Sequence, residues 1–258
     1  MRLYRKYFAI HLKSEMQYRV SFFTTIIGQF LVSFSVFLGI HFMYQRFSNV
    51  KGYSYQDSLL CFSVVLLAFS MAEMFVRGFD SFAGMLANGE FDRILVRPRN
   101  EIAQVLCAKI ALSRIGRIVQ AVVTFAYVVA TSKIQWNAAN ILTIVLMVFG
   151  GTVLFSAMFI IYAALCFFTT QSLEFMNVFT DGAREYGKYP FDIYGKRVLR
   201  ICTFLVPYAL VQYYPFLYLT GRSDNAALIF APLAGLLFLL PAFGLWKIGV
   251  RHFKSTGS

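Results

Sequence analysis

Residues 20–43 read VSFFTTIIGQFLVSFSVFLGIHFM, twenty-four positions without an Asp, Glu, Lys or Arg. An α-helix rises about 1.5 Å per residue, so this run is about 36 Å long and exceeds the roughly 30 Å hydrocarbon thickness of a bilayer. It is too long for a signal-peptide core, and Tyr44-Gln45-Arg46 follows it without a small-residue cleavage pattern. It is therefore expected to stay in the mature protein as a membrane span. The whole chain has the same character. Of its 258 residues, 59% are hydrophobic, 18% aromatic and only 14% charged, against about 45–50% apolar and about 25% charged in soluble domains. That leaves too little polar surface to coat a water-soluble core. A secreted disulfide scaffold, a disordered chain and a nucleic-acid-binding domain are excluded on the same ground, despite a net charge of +12.

Five further segments are long and apolar enough to cross: about 58–76, 109–131, 138–168, 199–220 and 226–246. The expected fold is an all-α integral membrane protein with six transmembrane helices in one domain, 1–258. The fourth span, about 45 Å as a straight helix, must tilt, project or bend, and Gly150-Gly151 is the expected bend. Pro207 and Pro215 in the fifth span, and Pro232 and Pro241 in the sixth, predict kinked or broken helices.

Six crossings put both termini and the second–third and fourth–fifth loops on one side. That side carries twenty of the twenty-four Lys and Arg, among them Arg184, Lys188, Lys196, Arg197 and Arg200 of the fourth–fifth segment. Only Arg46, Lys51, Lys133 and Arg222 fall on the other. Excess Lys and Arg marks the cytoplasmic face, so both termini are predicted to be cytoplasmic.

Cys61, Cys107, Cys166 and Cys202 lie in or beside apolar runs without C-x-x-C spacing, and read as small buried hydrophobes. His11, His41 and His252 never cluster with Asp, Glu or Cys, so no metal site is expected. Gly182 to Lys188 matches the G-x-x-x-x-G-K of a phosphate-binding loop, but Tyr189 stands where Ser or Thr holds magnesium, and no strand pattern precedes it. The match reads as chance, and the chain is not expected to bind ATP itself.

Two segments outside the spans are amphipathic. Residues 1–19 set Leu3, Tyr7, Ile10 and Met16, widened by Phe8 and Leu12, among basic residues, which reads as an interfacial helix. In the 78–98 loop, Phe79, Phe82, Ala83 and Leu86 follow i, i+3, i+4, i+7 spacing on a short helix that Asn88-Gly89 stops. Such a helix lies on lipid or plugs into a groove on a soluble partner. Glu90 and Asp92 argue for the partner, because the inner membrane surface is negative.

Gly89-Glu90-Phe91-Asp92-Arg93-Ile94-Leu95-Val96-Arg97-Pro98 resembles the G-x-hydrophobic-D-x-x-L-hydrophobic-R-P loop of bacterial ABC transporter permeases of the type-two exporter class. Val206-Pro207 and Tyr213-Tyr214-Pro215 likewise resemble that family's fifth-span region. The resemblance implies a six-span, non-enzymatic permease subunit in the bacterial inner membrane, paired with a second permease, identical or paralogous. It implies docking of two separately encoded ATPase subunits through the second–third loop. ATP and magnesium belong to those partners, and no cofactor is expected in this chain. The family's cytoplasmic coupling helix maps onto Phe79, Phe82 and Leu86, with Glu90, Asp92 and Arg97 in the turn that follows.

The leading functional reading is an exporter subunit driven by a partner's ATP hydrolysis. The alternative is an ion- or proton-coupled secondary transporter, which needs ionisable groups near the bilayer midplane. Glu73 is the one acid within the spans, and it lies toward one end. A lipid-modifying enzyme would need an acid/base constellation that no histidine or acid here supplies. Depth arithmetic pairs Glu73 differently. It lies about 6 Å inside the hydrocarbon if Arg77 marks the interface, while Arg117 and Arg114 lie about 9 and 4 Å inside if Thr131 marks the far boundary. Either arginine could then meet it.

The predicted topology is open to a labelling test. In a background without the native cysteines, single cysteines near Ser48 and Asn225 should react with an impermeant reagent from outside intact cells. Cysteines at Gly89 and Ser255 should react only after permeabilisation. The reverse pattern refutes the assignment.

Overall fold

The computed structural model describes residues 2–132, 134–169 and 174–253. Lys133, Lys254, Ser255 and residues 170–173, which enter the reading above, lie outside them. Among the described residues no strand forms beyond an isolated bridge between Val50 and Tyr53. The long helices are α2 (Arg19–Arg46), α3 (Tyr55–Asp80), α7 (Ile115–Thr131) and α8 (Ala138–Thr169). Shorter ones are α1 (Arg2–Gln17), α4 (Phe82–Ala87), α5 (Glu90–Leu95), α6 (Glu101–Ala108) and α9 (Asp181–Tyr186). Then follow α10 (Lys196–Phe204), α11 (Tyr208–Val211), α12 (Tyr213–Leu219), α13 (Ala234–Leu237) and α14 (Leu239–His252). Five stretches are long and apolar enough to cross a membrane, and the bent pair α10 with α11–α12 makes a sixth if counted as one span.

Helix α3 is the central post. Ser54 caps it, accepting from Asp57 N at 3.2 Å while Ser54 N donates to Asp57 Oδ2 at 2.8 Å. This reciprocal box satisfies two backbone donors that a helix start otherwise leaves unpaired. Most of α3 between Ser58 and Phe79 is buried, packed on α7 along one side and α8 along another. Helix α2 lies outside it with only Phe22, Ser33, Ile40 and Tyr44 buried, which leaves its apolar length for lipid.

Lipid is as apolar as leucine, so helices associate in a bilayer mainly where small residues let backbones approach closely. Gly150 and Gly151 serve this end. Helix α8 runs unbroken through both, so the expected bend is not a helix break. A Cβ at Gly150 would strike the Pro232 carbonyl, one at Gly235 would sit 2.6 Å from Gly150 O, and one at Gly151 would sit 2.8 Å from Ala68 Cβ. The pair is where α8 touches both α3 and the last span.

The prolines do break helices. The expected fifth span, 199–220, is not one helix: α10 turns by 86° into α11–α12 across Val206-Pro207. Pro215 has no N–H for the Val211 carbonyl, and the helix is interrupted at Gln212 between α11 and α12. Pro232 sits in a 3-10 stretch, Ala226–Leu233. Pro241 stands in the first turn of α14, four residues after α13 ends at Leu237.

The largest departure from the sequence reading is the segment between the fourth and fifth spans. Two clusters mark the ends of the bundle. At one, Arg222 donates to Gly52 O at 2.7 Å; at the other, Phe79 meets Trp246 with ring centroids 5.2 Å apart. Residues 174–194 leave the Trp246 end and climb along the bundle, with Met176, Ala183, Gly187 and Phe191 buried against it and Phe175, Val178 and Tyr186 exposed. Arg184 lies 5.0 Å over the Phe69 ring, Gln212 Nε2 donates to Tyr189 O at 3.5 Å, and Tyr53 OH donates to Asp192 Oδ2 at 2.8 Å. Lys51, on the loop assigned to the opposite side, donates to Asp192 O and Ile193 O at 3.2 and 3.0 Å. Arg184, Lys188, Lys196, Arg197 and Arg200 therefore do not lie in a simple loop at the Trp246 end. Irregular backbone is tolerated at such depth where it leans on protein, as these contacts show for one side of the segment. Without these five, fifteen of the remaining nineteen Lys and Arg still fall on the terminal side.

Gly150→Leu should push α8 off Pro232 and lower the thermal unfolding temperature of the detergent-purified protein by several degrees. Gly28→Ala, which meets nothing within 4 Å, should leave it unchanged. Equal effects from the two would refute the close-approach role.

Candidate functional site

The site is built on the terminal-side half of α3, where three features meet. The first is the Glu73 carboxylate, 5% exposed. Its Oε1 accepts Arg77 Nη1 at 3.0 Å, its Oε2 accepts Arg117 Nη1 at 2.7 Å, and Arg114 Nη2 forms an ion pair with Oε1 at 3.1 Å. Arg77 also pairs with Asp80 at 2.7 Å, and Arg114 donates to Gln29 Oε1 on α2 at 2.8 Å. The local backbone makes this possible. Residues 109–114 are not helical, as the third-span boundary at 109 would require: Lys109 is extended, Ala111 N donates to Met74 O at 3.1 Å, and Leu112–Arg114 forms a 3-10 turn. That tie sets Arg114 and Arg117, one turn apart, against the last turns of α3. The structure thus brings together all three members of the sequence-derived group and adds Arg77 and Gln29.

A carboxylate removed from water costs several kcal/mol unless it is paired and hydrogen-bonded. Three guanidiniums on two oxygens meet that need, and the cluster staples α2, α3 and α7 at one depth. Both Glu73 oxygens are engaged by guanidiniums.

The second feature is the loop after α3. Its helices run as α4 and α5, separated by Gly89 at φ +65, a left-handed turn that glycine adopts at little cost. The face expected to meet a partner points inward. Phe79, Phe82 and Leu86 are all buried, while Glu90 and Asp92 are half-buried and Arg97 is exposed. Phe82 packs edge-on against Phe91 at 5.1 Å and Phe167 at 5.0 Å, and Trp246 lies 5.1 Å from Phe82 and 5.2 Å from Phe167. Phe253 closes the group 5.2 Å from Phe91. The reason is area. Aromatic rings bury 150–250 Å² each and prefer such edge-to-face pairs, and α8 and α14 supply a complementary aromatic wall. The loop instead presents Ala87, Asn88, Arg93 and residues 95–100 to solvent, with Val96 83% exposed. Gln104 pins this edge by donating to Ile94 O and Arg99 O at 3.1 Å each. Phe167, Trp246, Phe253 and Gln104 escaped sequence reasoning, because each sits in a span or beside one where an apolar or amide residue carries no distinguishing pattern.

The third feature is the N-terminal helix. It docks by Tyr4, Phe8 and Met16 against Phe22, Met74, Ile110 and Leu112, leaving Ile10 and Leu12 exposed, so its bundle-facing stripe is rotated from the one expected. Tyr4 OH donates to Phe75 O at 3.4 Å, and burial pushes its pKa up to about 12, which keeps it a donor throughout the physiological range. The phosphate-loop lookalike at Gly182–Lys188 lies on and just after α9, where Lys188 and Arg184 pair with Glu185. No group of three His, Cys, Asp or Glu able to hold a metal is found among the described residues.

Five to six apolar helices, a sequestered Glu73 carboxylate and an aromatic-anchored helical loop at one end define a multi-pass membrane protein. The chain belongs to the ABC-2 family of transporter proteins, whose family model matches residues 30–257. The match starts within α2 and takes in the loop, the ion cluster and α14. Neither curated proteins nor solved structures give a match.

Glu73→Gln and Arg117→Gln should each destabilise the protein, since removing one partner of a buried pair costs on the order of 3 kcal/mol. In a double-mutant cycle their effects should be strongly non-additive. Simple additivity, with Arg114→Gln behaving likewise, would show that the geometry carries no energetic coupling.

Proposed function

We propose that this permease is the membrane-embedded subunit of an ATP-driven exporter in a bacterial inner membrane, working beside a second permease and two separate ATPase subunits that supply ATP and magnesium. One observation carries the reading: the exposed rim of the 78–98 loop sets the apolar Leu95 and Val96 among Arg93 and Arg97, while its interior is clamped to α8 and α14 by the Phe82, Phe91, Phe167 and Trp246 rings. A push on the loop from a partner would move these helices directly, because packed aromatic cores shift as units rather than deform. Arg93, Leu95, Val96 and Arg97 are the surface on which such a partner would act.

The same geometry reassigns the roles in the loop. Phe79, Phe82 and Leu86 transmit, and the exposed rim docks. Engagement of both Glu73 oxygens by arginines favours this reading over ion-coupled secondary transport, which needs a carboxylate free to change its charge. Partner contact that differs between two conformations is what would drive the cycle.

Val96→Asp should abolish copurification of ATPase subunits from the native host while the permease keeps its wild-type unfolding temperature. Phe82→Ala should instead lower that temperature, removal of a buried Phe from a core costing about 3–5 kcal/mol. Retention of the ATPase by Val96→Asp, together with full transport, would refute the docking assignment.

A further inference from the structure

The stretch 174–208 folds over a cavity of about 250 Å³ that nothing in the transport reading uses. Eleven side chains line it and none is charged. Its deep wall comes from Phe179, Ala183, Phe191 and Tyr208, and its lid is α10, which contributes Val198, Ile201 and Cys202 at i, i+3, i+4 spacing. The wall hydroxyls of Tyr194 and Tyr208 are already spent on Tyr186 O and Phe179 O. Apart from these and the half-exposed Tyr186, the lining is apolar, so the cavity suits hydrocarbon.

The lid also has a charged side. Helix α10 buries none of its residues, and Lys196, Arg197 and Arg200 are exposed beside the cavity-facing stripe. None of the three forms an ion pair among the described residues. The 86° turn lays α10 across the direction of α11–α12, and Ile201, Leu205 and Phe204, 53%, 62% and 86% exposed, mark the open edge. A basic amphipathic helix lying across the bundle beside an apolar slot has the features of a lipid-facing anion site. A second copy of this chain fits poorly, because a two-fold contact would bring the same three cations together.

We propose that this cavity holds one acyl chain of an acidic phospholipid from the surrounding bilayer, with its phosphate on Lys196, Arg197 and Arg200. The cations select the headgroup, and the slot under α10 holds the chain. The lipid thereby fills the space between the irregular 174–194 segment and the fifth span. The proposal does not depend on an ATPase partner.

The test is native mass spectrometry of the detergent-purified full chain, titrated with phosphatidylglycerol or phosphatidylcholine of equal chain length. Phosphatidylglycerol should bind more tightly, each cation contributing about a fivefold preference. Combined Lys196→Gln, Arg197→Gln and Arg200→Gln should erase that preference, while Ile201→Trp, which fills the mouth, should reduce occupancy by both lipids. A measurement without charge variants accompanies it. In protein whose Cys61, Cys107 and Cys166 are replaced by Ala, alkylation of Cys202 in phosphatidylcholine vesicles should slow several-fold when phosphatidylglycerol is added. Equal binding of the two lipids by the wild-type chain, or an unchanged preference in the triple variant, overturns the proposal. So does equal protection of Cys202 by inorganic phosphate, or a dimer that the triple variant loses.

Discussion

A charge inside a bilayer must find its counter-charge within the protein, and Glu73 is where this molecule meets that demand. Its two oxygens hold Arg77 from the same helix, Arg114 from the 3-10 turn that leads into α7 and Arg117 from α7, and Arg114 reaches on to Gln29 of α2. Without a hydrophobic force between helices in lipid, such a polar staple has unusual authority over which helices neighbour which. It sets α7 against α3, and the tie from Ala111 N to Met74 O sets the height. Helix α8 then takes the remaining side of α3 through small residues, Gly151 meeting Ala68.

Once α3 is flanked on both sides, its lower end has one way to go. Phe79 ends the post on Trp246, and the chain turns through α4 and α5 with its rings pointed back into the bundle. The ion cluster and the aromatic cluster thus share one helix, about two turns apart. A force on the 78–98 loop acts on α8 and α14 by packing and on α7 by charge. That economy of connection is what underlies the coupling role proposed for the loop.

The half-span α11–α12 and the climbing segment before it follow from the same rule of satisfied groups. Irregular backbone between residues 174 and 194 is held on one side by α3 and α11–α12, through the Arg184–Phe69, Gln212–Tyr189 and Tyr208–Phe179 contacts. Its cations find Phe69, Asp181 and Glu185. Where it emerges, at α10, Lys196, Arg197 and Arg200 form no ion pair among the described residues, which is what opens them to the proposed lipid headgroup.

Hydropathy alone determined that the chain is an all-α membrane protein, because a run such as 20–43 has no stable alternative in water. Depth along a helix is nearly arithmetic, so Glu73, Arg114 and Arg117 could be set at matching heights before any contact was known. The direction a short amphipathic helix faces is not legible in this way. Phe82 and Leu86 would satisfy a partner's groove or an internal wall equally, and the wall is made by Trp246 and Phe167, far away in sequence. Basic residues in a presumed loop read as a solvated face, yet Arg184 and Lys188 are drawn inside because Phe69 and Glu185 are there to receive them. Proline foretold the break at Pro207, but its 86° angle depends on what α10 packs over. Periodicity and length are local properties and were determined by the sequence; the partner of each apolar face and each charge is a non-local choice, and only the packed structure makes it.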